Sequence, residues 1–354
     1  MGGQDYTPNN SNGAGKKRMK KSLETIDLAK FIASILICAL HLGIFSDYNH
    51  LNIIPHLLSR WGVPFLFICS SYFFYCKCDN SKIEKDVLYK YVRRIAMLYI
   101  VWLVFNIPHV VYARLWSKDL LAIRTWLVFI KNSILSSTFI GSWYLSSSIF
   151  SVLFIYVLSK KLQTKTIMKI TFIFYLLCVF SSAYRGVLPS NISKVLLFFL
   201  FPLNIFNGCF YFSLGKYIAE NRQTILNKWN KKRSLIGFII FYLLFVAEIG
   251  LTKYFKILGM TDVTFSTALM AYTLFLFCLQ TSIRISNSLL LRKMSIVIYC
   301  AQGNVLLVNR VCRTTLKASS FLSSLISYIV LAAIFALVLY VQKKQKWKWT
   351  EYLT

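Results

Sequence analysis

The sequence predicts an all-α, polytopic membrane protein of about ten helical spans with both termini in the cytoplasm, and three observations predict it. Of the 354 residues, 57% are hydrophobic and mean hydropathy is +0.58, more apolar surface than a soluble fold of this length can bury. The apolar residues come in continuous runs, such as Phe321 to Val341, of the roughly 20-residue length that a helix needs to cross a bilayer core. The ~10-residue alternation of an outer-membrane barrel is not seen, and only helices or closed barrels satisfy their own backbone in lipid. Finally, the basic residues alternate in density from loop to loop.

Taken in order, residues 1–22 read as a disordered, basic cytoplasmic tail: Gly, Asn and Ser dominate as far as residue 15, and no cleavable leader is evident. A single membrane domain follows over 23–341, with spans near 23–45, 61–76, 95–112, 143–159, 167–182, 195–218, 235–251, 263–281, 294–309 and 320–341. Between the third and fourth, Lys131, Asn132, Ser136 and Ser137 interrupt the apolar run from Thr125 to Ile140, which reads as re-entrant or interfacial. Residues 342–354 form a basic cytoplasmic tail. One alternate set of loops holds 28 of the 41 Lys and Arg residues and the other 12, with Lys30 inside the first span. Cytoplasmic loops carry the excess, and an even span count keeps both basic tails on that side. The inverted repeat common in transporters is not detectable.

A net charge of +29 does not point to nucleic acid, because the basic residues are scattered through short loops rather than gathered in a domain. Of the nine cysteines, Cys38, Cys69, Cys178, Cys209, Cys278 and Cys300 sit inside apolar runs and act as small hydrophobes. Only Cys76 and Cys78 are closely spaced, at a cytoplasmic helix end where thiols stay reduced. No metal site is expected.

Ionisable groups inside a span are costly and mark sites. At 100° per residue, Asp27, Lys30 and His41 share one face of the first helix with Ser34, and Lys30 stands roughly 16 Å below His41. Asp27 and Lys30 fit either a ligand site or a snorkelling interfacial pair at i,i+3. Arg93 and Arg94, with Lys90, mark the cytoplasmic entrance to the third span and suit either topology control or anion binding. His109 and Glu248, near outer span ends, are each a proton-transfer partner or an interfacial residue. Asn207, Gln302 and Asn304 read as interhelical hydrogen-bond partners.

With these residues in place, the chain resembles the membrane-bound acyltransferase 3 family. The similarity runs through Ile26-Asp-Leu-Ala-Lys-Phe-Ile-Ala and His41, Trp61-Gly-Val-Pro-Phe-Leu-Phe-Ile-Cys-Ser-Ser-Tyr72, and Tyr91-Val-Arg-Arg94 leading to Trp102. It continues through Trp143-Tyr-Leu145, Asn207-Gly208, Leu214-Gly-Lys216 and Leu291-Arg-Lys-Met-Ser-Ile-Val-Ile-Tyr299. The chain also looks like the membrane half of vancomycin-resistance serine racemases, without a racemase half. The resemblance implies an O-acyltransferase that moves an acyl group, usually acetyl from acetyl-CoA, onto hydroxyls of surface polysaccharide, peptidoglycan or similar acceptors. It also implies ten spans with cytoplasmic termini.

Carried over, His41 matches the family histidine, and Lys30 stands where arginine is usual, keeping charge but losing the bidentate fork. Ser71 replaces the glycine of Ser-Gly-Tyr, so a close helix contact is expected to change. Gln302 stands where many members have histidine. The implied mechanism has Arg93, Arg94 and Lys30 holding CoA phosphates, and pantetheine running along the Asp27 to His41 stripe. His41 then serves as general base or transient acyl carrier. Competing readings are a transporter or exporter, and an acyltransferase-derived sensor without catalysis.

Overall fold

The computed structural model describes residues 13–78, 84–115, 118, 121–135, 137–189, 191–192, 203–345 and 348–354, and every regular element among them is helical. Residues 1–12 of the expected tail and 195–202 of the expected sixth span lie outside the described residues. In chain order the helices are α1 (Gly13–Leu42), α2 (Ile53–Ser59), α3 (Gly62–Tyr75), α4 (Lys85–Phe105), α5 (Ile107–Val110), α6 (Ile123–Leu135), α7 (Ser142–Ser159) and α8 (Thr164–Ser181). There follow α9 (Leu203–Glu220), α10 (Arg222–Lys228), α11 (Lys231–Tyr254), α12 (Phe265–Gln280), α13 (Ser288–Cys300), α14 (Gln302–Thr314) and α15 (Ser320–Gln345).

Both ends carry helical segments. Lys, Arg, Met, Leu and Glu between Lys16 and Glu24 are good helix formers, and residues 13–22 continue α1. Gly43, at φ +61, ends that helix. At the other end Leu353 is buried among residues of α4 and α15, and the Gln342 amide donates to Thr354, so the basic tail folds back onto the bundle.

Among the described residues, six helical segments are long and apolar enough to cross a membrane: Glu24–Leu42, Ile53–Tyr75, Ser142–Ser159, Thr164–Ser181, Lys231–Tyr254 and Ser320–Lys344. The third and ninth expected spans are not straight. Lys85–Phe105 meets Ile107–Ala113 at 71°, and Ser288–Cys300 meets Gln302–Thr314 at 60°; counting each bent pair as one span gives eight. Pro108 explains the first bend, because it lacks an N–H and its ring crowds the carbonyl four residues back. The α6 helix has 13 residues, about 20 Å, and exposes Ile123, Leu127, Ile130 and Ile134, as an interfacial helix does.

The long helices bury one side and leave Leu or Ile on the other. On α11, Ile239, Ile240, Leu243 and Leu244 are exposed while Phe245 and Ile249 are buried, the division expected when lipid is the outer solvent. Inside, α9 packs on α3, α7 and α8. A Cβ at Gly208 would stand 2.1 Å from Ser147 Oγ of α7, and one at Gly215 would stand 2.6 Å from Ser71 Cβ and 2.7 Å from the Ile68 carbonyl of α3. The close approach expected to suffer from Ser71 is thus kept by glycine on the partner helix. The Ser71 hydroxyl adds a hydrogen bond to the Phe212 carbonyl.

Candidate active site

The polar face of α1 resolves into three environments. Asp27 is buried and accepts from Arg292 of α13 in a fork, with Nε to Oδ1 at 3.0 Å and Nη2 to Oδ2 at 2.8 Å. The carboxylate is therefore paired across helices rather than with Lys30, and the planar guanidinium suits that task. Lys30 is half-buried with its Nζ 5.3 Å from the Phe73 ring centre. Ser34 donates to the Lys30 carbonyl at 3.0 Å. His41, in the last turn of α1, is exposed.

His41 stands beside a pocket of about 400 Å³ formed by the α1–α2 loop, α2, the start of the α2–α3 span and the α11–α12 loop. Three of its groups, Arg60, Asp262 and His56, lie within electrostatic range of His41. Arg60 anchors the network: Nη1 meets Asp262 Oδ1 at 2.5 Å, Nη2 and Nε reach Thr261 Oγ1 at 2.6 and 3.1 Å, and Nη2 lies 3.0 Å from His56 Nδ1. Arginine only donates, so His56 accepts at Nδ1 and carries its proton on Nε2.

Glu248 of α11 secures the start of α12. Its Oε1 accepts from the Phe265 N–H at 2.8 Å and the Tyr184 hydroxyl at 2.9 Å, and its Oε2 from the Ser266 N–H at 3.0 Å and the Ser266 hydroxyl. It caps α12 from another helix, where the N-terminal dipole favours a carboxylate. The α11–α12 loop is tied in turn to residues 182–186: Gly259 and Met260 donate to the Ala183 and Ser182 carbonyls, and Gly186 to that of Ile257. This loop is held by backbone.

The remaining predicted residues lie elsewhere. Arg93 and Arg94 are exposed near the start of α4, at the Lys30 end of the bundle, where Tyr91 of the same helix meets Ser70 at 2.8 Å. His109 is buried on α5 against Gly303, where a Cβ would stand 3.0 Å from the ring. This is the crossing of the two broken helices. There Asn106 Nδ2 donates to the Trp102 and Cys300 carbonyls at 2.8 and 2.9 Å, and Asn304 Nδ2 to the Phe105 carbonyl at 2.5 Å. Gln302 is buried with no hydrogen-bond partner for either amide atom among the described residues, and Asn207 Oδ1 has none either. His41 lies within electrostatic range of Arg60, Asp262 and His56, whereas His109 sits at the helix crossing and Glu248 at the start of α12. Sequence reasoning missed Arg60, His56, Asp262 and Arg292. Arg60 immediately precedes the Trp61-Gly-Val-Pro motif, which is the one local signal that pointed there.

A family model described as an acyltransferase domain matches residues 23–341, and the chain belongs to this acyltransferase-3 family of membrane acyltransferases. It is also similar to an Enterococcus faecalis protein described as an amino-acid racemase, with 27% identity over 237 residues, 64% of this chain. The matched region is 31% of that relative, so the chain spans about a third of its length. No solved structure matches the chain.

Proposed function

We propose that the chain is an O-acyltransferase of the cell membrane that moves an acyl group, acetyl foremost, from cytoplasmic acyl-CoA to a hydroxyl of a surface glycan or related acceptor. This reading takes ten spans with cytoplasmic termini, adding α9 and the 16-residue α12 to the eight candidates. The observation that carries it is the placement of His41: an exposed imidazole in the last turn of α1, within electrostatic range of the pocket groups Arg60, Asp262 and His56, with Lys30 on the same helix face roughly 16 Å back along it.

Lys30, Arg93 and Arg94 bind the CoA phosphates, as charge-assisted donors do. Asp27 acts through Arg292, holding α1 against α13 so that Lys30 faces the donor. The acceptor oxygen attacks the thioester carbon, the C–O bond forms as the C–S bond breaks, and His41 takes the hydroxyl proton and returns it to the leaving thiolate. Acylation of His41 followed by transfer gives the same balance. The crossed broken helices, with the buried Gln302 amide, favour a second reading as a carrier of polar solutes, since discontinuous helices build such sites.

Purified protein supplied with radiolabelled acetyl-CoA separates the two. The acyltransferase reading expects thioester cleavage, lost by about 10²-fold to 10⁴-fold in His41→Ala and equally in His41→Gln, with acyl-CoA binding retained. Substantial transfer by the Gln variant removes His41 from the chemistry, and no cleavage by wild type favours the carrier.

A further inference from the structure

We propose that the pocket beside His41 is a recognition site for a carboxylate borne on a hydroxyl-rich acceptor. Its hydrogen-bond inventory carries the argument. Of the five N–H groups of Arg60, the Asp262, His56 and two Thr261 contacts engage four, leaving one on Nη1. His56 accepts at Nδ1 and so presents an N–H at Nε2. Thr261 receives two N–H groups from Arg60, and with His56 Nδ1 closer to Arg60 (3.0 Å) than to Thr261 (3.3 Å), its hydroxyl hydrogen is available to a ligand. Lys253, exposed on the same lining, adds an ammonium.

Against these donors stands one acid, Asp262, whose Oδ1 is taken by Arg60. The wall is rich in donors and keeps one cation, Lys253, that forms no ion pair among the described residues. A neutral polyol, which donates as often as it accepts, leaves such a wall partly unmatched; a carboxylate, which only accepts, matches it. Asn49 and Asn52 supply amides that both donate and accept, suited to the neighbouring hydroxyls, and Ile53 and Met260 supply an apolar face. Because Arg60 is held by Thr261 and Asp262, and the loop behind it by backbone bonds to residues 182–186, the site is built before a ligand arrives.

This rests on reading the pocket as the acceptor side, so the test leaves acyl-CoA out. The full chain in lipid nanodiscs is titrated calorimetrically with digalacturonate, whose carboxylate is on the sugar, with muramyl dipeptide, whose carboxylate is on the peptide, and with neutral galactobiose. Saturable binding of either carboxylate ligand, weakened about tenfold by Lys253→Gln and by Arg60→Gln, supports the proposal, and the ligand that binds identifies the source of the carboxylate. Lys253→Gln changes only an exposed side chain, so it remains informative where Arg60→Gln does not fold. Equal binding of galactobiose, no binding of either carboxylate ligand, or binding indifferent to Lys253→Gln overturns it. Such a failure leaves thioester cleavage at His41 untouched, whereas binding by a chain that cleaves no thioester counts against the acyltransferase reading alone.

Discussion

Arg93 and Arg94 sit exposed at one end of the bundle and His41 exposed at the other, so their substitutions should separate in kinetics. Replacing both arginines with Gln is expected to raise the KM for acyl-CoA more than it lowers kcat, because phosphate contacts are made in ground and transition states alike. Lys30→Arg should hold or lower that KM, since the guanidinium restores a fork. Steady-state rates in proteoliposomes measure both, and a loss of membrane insertion in the double Gln variant reassigns these arginines to topology. At this scale the sequence was readable where one helix suffices: Asp27, Lys30 and His41 share a face because 3.6 residues make a turn. It was silent on Asp27 with Arg292 and on Arg60 with Asp262, since partners hundreds of residues apart leave no local periodicity.

Among the elements, α9 is the one whose packing leaves least room. Gly215→Ala is expected to cost about 1–3 kcal/mol, because the new methyl would meet the Ile68 backbone, which cannot rotate away. Gly250→Ala on α11 is the control: nothing lies within 4 Å of its added carbon, so it should be neutral or slightly stabilising. Thermal unfolding in detergent distinguishes them. The loop after α1 has its own tether. Asp47 accepts from the Ser320 N–H at the start of α15 at 2.5 Å and from Arg313 at 2.6 Å. The Ser320 N–H above all, then the Ser320 hydroxyl and Arg313, hold its carboxyl below the ordinary 3.8. Its contribution is complete above that value and is lost as pH falls through the lowered one. Acidification below about pH 4 should therefore lower the unfolding temperature of wild type more than that of Asp47→Asn. The helix pattern made these elements readable, yet the bends were not: hydropathy measures composition and is blind to direction, so α4–α5 and α13–α14 each look like one straight run.

For the whole molecule, the 28-to-12 distribution of basic residues sets the expected orientation. A reporter fused after residue 225 should read cytoplasmic, and one between 184 and 194 external; the opposite result at either point overturns the ten-span arrangement. The docking of Leu353 and the continuation of α1 through residues 13–22 were hidden from a composition-based reading, because a few apolar or helix-forming residues inside a polar stretch decide both. The crossing of the two broken helices bears on how the chain is made. The carbonyls of Phe105 and Cys300, at the two breaks, are each met by an asparagine amide of the other helix, across 199 and 194 residues of sequence. During synthesis the first broken helix enters the bilayer long before its partner exists, and an unmet carbonyl in hydrocarbon is expensive. Because Pro108 bends it from the outset, the Phe105 carbonyl needs company other than lipid until Asn304 arrives. The order of synthesis makes the last third of the chain the step that completes the first.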